Sequence, residues 1–152
     1  MAFRTDNGGY AFKSSDLKLT TISSTWGTRL SQLSRQVGIV RIITYSLPNR
    51  EYAKKQLGRR PTDIFIIAHE KFEKQAREIK TCFPKVRIAV ASDIHSKILL
   101  IEPKTIWISS ANFGDSGWQE TTIGIRSEEA LNWYVKQIYE PLWNHCREIL
   151  LQ

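Results

Sequence analysis

An α/β fold, with a mixed β-sheet flanked by helices on both faces, is what this sequence predicts, on three observations. Short β-branched apolar runs alternate with helix-period segments through the first 91 residues. Two strands joined by a short hairpin follow, then one more strand and a long amphipathic segment. The 152 residues, 41% hydrophobic and 24% charged, have the size and balance of one soluble domain with its own core.

Residues 1–16 are polar and Gly-containing and read as a flexible N-terminal segment, a frayed end or an extended arm. Residues 16–23 (DLKLTTIS) alternate loosely, as a strand does. Trp26, Leu30, Leu33 and Val37 recur at helical spacing, and Gly38 reads as the glycine just past that helix. The run 39–47 (IVRIITYSL) predicts a buried strand, and 48–58 a short basic helix stopped by Gly58 and Pro61. Residues 63–68 (DIFIIA) predict a strand and 70–82 a helix with Phe72, Ala76 and Ile79 on one face. Strands are then expected at 86–91, 97–101, 105–109 and 121–126, with Glu102-Pro103-Lys104 as the hairpin connection. Ser127 is suited to cap a final helix, with Glu128 and Glu129 in its positive first turn. Leu131, Val135, Ile138, Leu142, Cys146 and Ile149 are expected to form its buried stripe, and Pro141 to kink it.

Several classes are excluded at this level. No apolar run approaches the ~20 residues of a membrane helix, and the N-terminus lacks the apolar core of a secretory signal. Cys82 and Cys146 have no metal-ligand spacing and make no disulfide framework; small core residues in helices and a cytoplasmic setting are expected. Twenty-two Lys and Arg against 15 Asp and Glu leave a net charge of +7. That excess favours polyanionic partners through phosphate neutralisation, although a generic basic surface gives the same composition.

The chemistry is concentrated in residues 95–113, HSKILLIEPKTIWISSANF. On a strand, residues i and i+2 share a face, so His95 and Lys97 are expected to point the same way. A neutral imidazole nucleophile beside a fixed cation is what attack on an anionic phosphodiester requires. After Lys97 and four intervening residues comes an acidic residue, Glu102, and after six more comes Ser109-Ser110-Ala111-Asn112.

This composite resembles the HxK(x)4D(x)6GSxxN signature, the HKD motif, of the phospholipase D superfamily. With one copy in a short chain, it is similar to the small single-motif nuclease branch, whose members build one active site from two subunits. The resemblance implies a phospholipase D-like α/β sandwich over residues 17–152, with no metal and no cofactor. It implies a two-step displacement in which His95 becomes a phosphohistidine. In the family, the histidine of a second motif protonates the leaving oxygen; here the partner of a homodimer would supply its own His95.

By the same resemblance Lys97 binds the non-bridging oxygens as a point charge. Asn112 and Ser110 donate to them as charge builds up. A carboxylate after the Asn accepts a hydrogen bond from the nucleophile's other nitrogen; Glu120 stands in that place, with Gln119 as a substitute and an exposed strand-start carboxylate as the plain alternative. Two positions depart from the pattern: Ser109 replaces Gly, and Glu102 replaces Asp. The extra methylene moves that carboxylate by about one C–C bond, so Glu102 is given a supporting role, pairing a nearby cation or capping a turn.

Arg50, Lys54, Lys55, Arg59 and Arg60 cluster on or beside one short helix with Tyr52 among them, as a phosphate-tracking groove or as a solvated helix face. Lys71, Lys74, Arg77, Lys80, Lys85 and Arg87 make a second such stretch. Trp26 and Trp107 read as core, whereas Trp118, in the loop after Asn112, is placed to line a substrate entrance. His69 reads as a strand-end or helix-cap residue, and His145 as a cation at a helix C-terminus. The expected activity is metal-independent phosphodiester cleavage of DNA or RNA by a homodimer without stable membrane insertion. Its rivals are a phospholipase or phosphatidyltransferase, and a non-catalytic nucleic-acid-binding module of the same fold.

Overall fold

A computed structural model describes residues 3–21, 26–30, 33–35 and 38–152. Among them the strands are β1 (Leu17–Thr20), β2 (Val40–Thr44), β3 (Ile64–His69), β4 (Arg87–Ala91), β5 (Ile98–Ile101), β6 (Thr105–Ser109), β7 (Thr122–Arg126) and β8 (Arg147–Glu148). They form one mixed sheet in the order β1-β7-β6-β5-β2-β3-β4-β8. β2, β3 and β4 run parallel, and the remaining pairs are antiparallel. The helices are α1 (Trp26–Arg29), α2 (Arg50–Leu57), α3 (Glu73–Cys82), α4 (Glu128–Tyr134) and α5 (Glu140–His145).

The central strands are apolar on both faces because both are covered. Ile42, Ile64, Ile66 and Ile88 face one way and pack with Leu57, Ala76 and Ile79 of α2 and α3. Their alternates Ile43 and Ile67, with Leu100 and Ile106, face the other way against Leu131, Val135 and Tyr139. The period of two along each strand thus builds two cores, one per face.

The first predicted helix is broken: α1 is one turn, and a 3₁₀ turn follows at Leu33–Arg35. Val37, like residues 22–23 of the first predicted strand, lies outside the described residues. Whether a helix ends at Gly38 lies outside the described residues; its contact with Glu102 lies within them. A Cβ there would lie 2.6 Å from Glu102 Cβ and 2.8 Å from its carbonyl oxygen, so close backbone approach is what requires glycine.

The C-terminal helix also differs from expectation. Between α4 and α5 the chain widens into a π turn, Val135–Tyr139, with Glu140 N–H reaching the Val135 carbonyl. Pro141 follows at once; its ring and missing N–H disfavour ordinary α spacing there, and the wider turn absorbs the mismatch. Ile138 is therefore turned outward, 37% exposed. The helix stops before Cys146, and Arg147–Glu148 pair with β4, so buried Ile149 belongs to a sheet edge, where its N–H donates to Ile88 O. Cys82 and Cys146 are half-buried and free, with Cys146 beyond the helix.

The N-terminal arm makes specific contacts. Tyr10 stacks on Trp133 at 4.7 Å and its hydroxyl donates to Glu129. Ser14 Oγ donates to Arg126 O at 3.0 Å. Among the described residues no helix is long and apolar enough to cross a membrane.

Candidate active site

Sheet register decides which residues meet. Ile43 pairs with Ile98, Ile98 with Ile108, and Ser109 with Thr122. The flanking residues Tyr45–Ser46, His95–Lys97, Ser110–Asn112 and Glu120–Thr121 therefore gather at one end of the sheet. It is the end where the parallel strands β2 to β4 terminate, the usual location of sites in α/β folds. His95 and Lys97 are not within a strand, as expected from sequence, but in the segment leading into β5. The ladder still reaches them: Ser109 N–H donates to Lys97 O at 3.1 Å. His95 is exposed and Lys97 half-buried, and Lys97 Nζ donates to His95 O at 2.9 Å.

Asn112 is locked in place. Its Oδ1 accepts the backbone N–H groups of Tyr45 at 3.1 Å and Ser46 at 3.2 Å. Two N–H donors settle the orientation of the amide, so its NH2 end is the one left to donate to a substrate. The Asn112 carbonyl accepts Trp26 Nε1–H at 2.6 Å. Buried Thr44 completes the clasp, accepting Phe113 N–H at 2.8 Å and donating to Ser46 O at 2.9 Å.

Glu120 is near Ser110, and its partners differ from expectation. Its carboxylate accepts from Ser110 Oγ and, at 3.2 Å, from Ser116 Oγ; among the described residues no hydrogen bond joins it to His95. A hydroxyl has one proton, so Ser110 here donates to Glu120 while accepting Thr121 N–H at 3.0 Å. Ser110 reaches a phosphate only by releasing Glu120. Ser109, in the motif's glycine position, is accommodated: its Oγ meets Thr122 Oγ1 at 2.7 Å and accepts Ala111 N–H at 3.0 Å. Glu102 pairs with Arg41 at 2.7 Å and accepts Ile39 N–H at 3.3 Å, a structural role at the hairpin.

Tyr45 sits against both nearby histidines. Its ring centroid lies 5.4 Å from that of His95 and 5.0 Å from that of His69. His69 caps the turn that follows, its Nδ1 accepting Lys71 N–H at 3.1 Å, which puts the proton on Nε2. His145, at the end of α5, lies 3.6 Å from Asp93.

Beside Asn112 and Glu120 a cavity of about 880 Å³ opens between the start of α2 and the loop 113–118. Of the basic set, Lys55 lines it, as does Trp118, which is 80% exposed. Arg50 and Lys54 lie outside its wall and lean on Glu51. Arg59 is exposed and Arg60 turns toward Asp63; neither lines the cavity. Among the described residues no group of three His, Cys, Asp or Glu side chains is placed to hold a metal ion.

Sequence reading missed three contributors. Tyr45 and Ser46 were legible in principle, because they follow a strong strand run at its C-terminal edge. Arg29 gave no signal. It is 2% exposed and lies 3.9 Å over the Trp26 ring. Burial pushes its pKa down to about 10, against the opposing influence of Tyr52 and Glu120.

No family model matches the sequence, and no curated protein matches it. Solved structures do resemble the fold. Nuc from Salmonella typhimurium, a phospholipase D family member, superposes with a TM-score of 0.73 at 16% identity over 90% of this chain and 99% of that one. NucT from Helicobacter pylori gives 0.71 at 16% identity over 88% and 99%. The phosphatidylserine synthase of Haemophilus influenzae gives 0.64 at 14% identity over 94% of this chain and 43% of that one. The chain shares the α/β fold of these structures.

Proposed function

We propose that this chain is a metal-independent phosphodiesterase that cleaves DNA or RNA, with His95 as nucleophile and two copies completing one site. The observation that carries the reading is convergence: His95, Lys97, Ser110 and Asn112 end up at one end of the sheet, with the Asn112 amide pre-oriented to donate. In the first displacement a His95 nitrogen attacks phosphorus, and the P–O bond to the leaving oxygen breaks. Lys97 and the Asn112 NH2 offset charge on the non-bridging oxygens. The partner's His95 gives its proton to the leaving oxygen. Water then attacks the phosphohistidine, the partner's His95 takes the water's proton, and the P–N bond breaks.

Nucleic acid is preferred over lipid because of the net charge of +7 and the 80% exposed Trp118 at the cavity rim, a stacking surface for bases. The test incubates the protein in EDTA with plasmid, single-stranded RNA and phospholipid vesicles in parallel. Cleavage of a nucleic acid is expected. Cleavage of lipid alone moves the substrate class, and loss of all activity in EDTA with recovery in magnesium overturns the phosphohistidine route. Sharing of the site is tested by refolding His95→Asn chains with wild type at equal ratio. Random pairing leaves about half the activity per wild-type chain; an unchanged value overturns the shared site.

A further inference from the structure

None of the three guanidinium nitrogens of Arg29 has a hydrogen-bond partner among the described residues, although the side chain is buried. Its close neighbour is the Trp26 ring, whose π face offers a cation only partial compensation for lost water. A buried cation with no hydrogen-bonded counter-ion is costly, and Glu120 acts on Arg29 only through space.

The surroundings identify where a counter-ion would come from. Trp26, which carries Arg29 on its ring, donates to Asn112 O and packs 4.7 Å from Phe113. Asn112 and Phe113 are wall residues of the 880 Å³ cavity. Arg29 therefore lies immediately behind that wall, and the influence of Tyr52 and Glu120, both wall residues, reaches it. The cavity also offers Lys55. Of its three acidic residues, Glu51 is engaged by Arg50 and Lys54, Glu120 by two serines, and Asp115 is exposed to solvent on the loop side.

We propose that Arg29 and Lys55 form a second anion site for a phosphate group, one phosphate along the chain from the one attacked by His95. Its planar fork suits two phosphate oxygens at once, a geometry a lysine cannot copy. The guanidinium is screened from water in the unliganded chain, so binding opens the wall between it and the cavity. Assigning the phosphate to a polynucleotide rests on the function proposed above; the anion site itself does not.

The experiment removes the attacked-phosphate site first. In a His95→Asn, Lys97→Ala background, inorganic phosphate should raise Tm saturably relative to sodium chloride of equal ionic strength. Adding Arg29→Met should abolish that shift while leaving the phosphate-free Tm equal or higher, because an uncompensated buried charge has been replaced by an apolar side chain. Absence of a phosphate shift in the background, or a shift that survives Arg29→Met, overturns the site. If Arg29→Met fails to fold, Arg29→Lys is read instead: a weakened shift is expected, and a full one overturns the proposal. A short single-stranded oligonucleotide, which this background cannot cleave, decides the source. Roughly tenfold weaker binding after Arg29→Met, about the worth of one charge-assisted contact, supports a chain phosphate. Unchanged oligonucleotide affinity overturns that assignment. None of these readouts needs hydrolysis, so they stand or fall separately from the proposed activity.

Discussion

Asn112 is half-buried, its side-chain oxygen held by two backbone amides and its carbonyl by the Trp26 indole, while His95, at the same end of the sheet, is exposed and leans on the Tyr45 ring. The first wing is built by folding itself, because the donors that fix it are backbone groups that must find acceptors somewhere. The second wing has little to hold it. Such a division suits a site where oxygen-binding donors must be pre-organised, and where the nucleophile is brought into line by substrate and partner. The contrast teaches that a motif's residues can share a chemistry and yet depend on different parts of the fold.

The largest expected effect falls on the loosely held wing. His95→Asn should reduce phosphodiester cleavage to background, a loss of at least about 10⁴-fold, because both nucleophile and acid disappear from a shared site. Its unfolding free energy should stay within about 0.5 kcal/mol of wild type, as for an exposed position. A large drop in Tm would show that His95 is held more firmly than the geometry indicates.

Asn112→Ala and Lys97→Met separate the wings next. Removing Asn112 leaves the Tyr45 and Ser46 N–H groups without their acceptor, so it should cost about 1–3 kcal/mol of stability and about 10²–10³-fold in kcat. Lys97→Met should lower kcat on a similar scale with little change in Tm. Urea unfolding of both variants beside initial rates makes the comparison. Equal stability losses would erase the distinction.

Much of this was legible in the sequence, and the exceptions have physical causes. Strand positions and the motif could be read because β-branched runs and local spacing carry them. The clasp on Asn112 could not be, since its donors lie 66 and 67 residues away and are backbone groups with no side-chain signature. β8 was hidden because Arg147–Glu148 is polar and two residues long, and what holds it is pairing with β4 together with the Arg87–Glu148 bridge. The close approach of the Glu102 backbone to Gly38 joins residues 64 positions apart and leaves no local sign. Glu102 itself was read correctly as a residue that pairs a nearby cation.

A smaller effect is expected at Ser116, which holds Glu120 and through it Ser110. Ser116→Ala removes one of the carboxylate's two serine donors, worth about 1 kcal/mol or about fivefold in rate if Glu120 must be held still during reaction. Steady-state kinetics should show the loss in kcat with KM unchanged. A change confined to KM would place Ser116 in substrate binding instead.

The smallest effect lies outside both wings. Hydrogen bonds from Arg147 and then Arg77 pull the Glu73 carboxyl down from 4.5 to about 2, tying the C-terminal strand to α3. A carboxylate whose pKa is lower in the folded chain adds stability that is fully present above the unfolded value of 4.5 and fades as pH falls toward about 2. Glu73→Gln should therefore lower Tm slightly at neutral pH, with the gap to wild type closing on acidification and vanishing near pH 2. Exposure of these side chains to solvent keeps the effect small. Thermal melts of both proteins between pH 7 and pH 2 measure it. Glu148, lowered by Arg87, behaves in the same direction at the other end of β8. Neither group contributes a pH-dependent loss of stability above the ordinary carboxylate range. A gap that stays constant across the whole range would assign the role of Glu73 to packing.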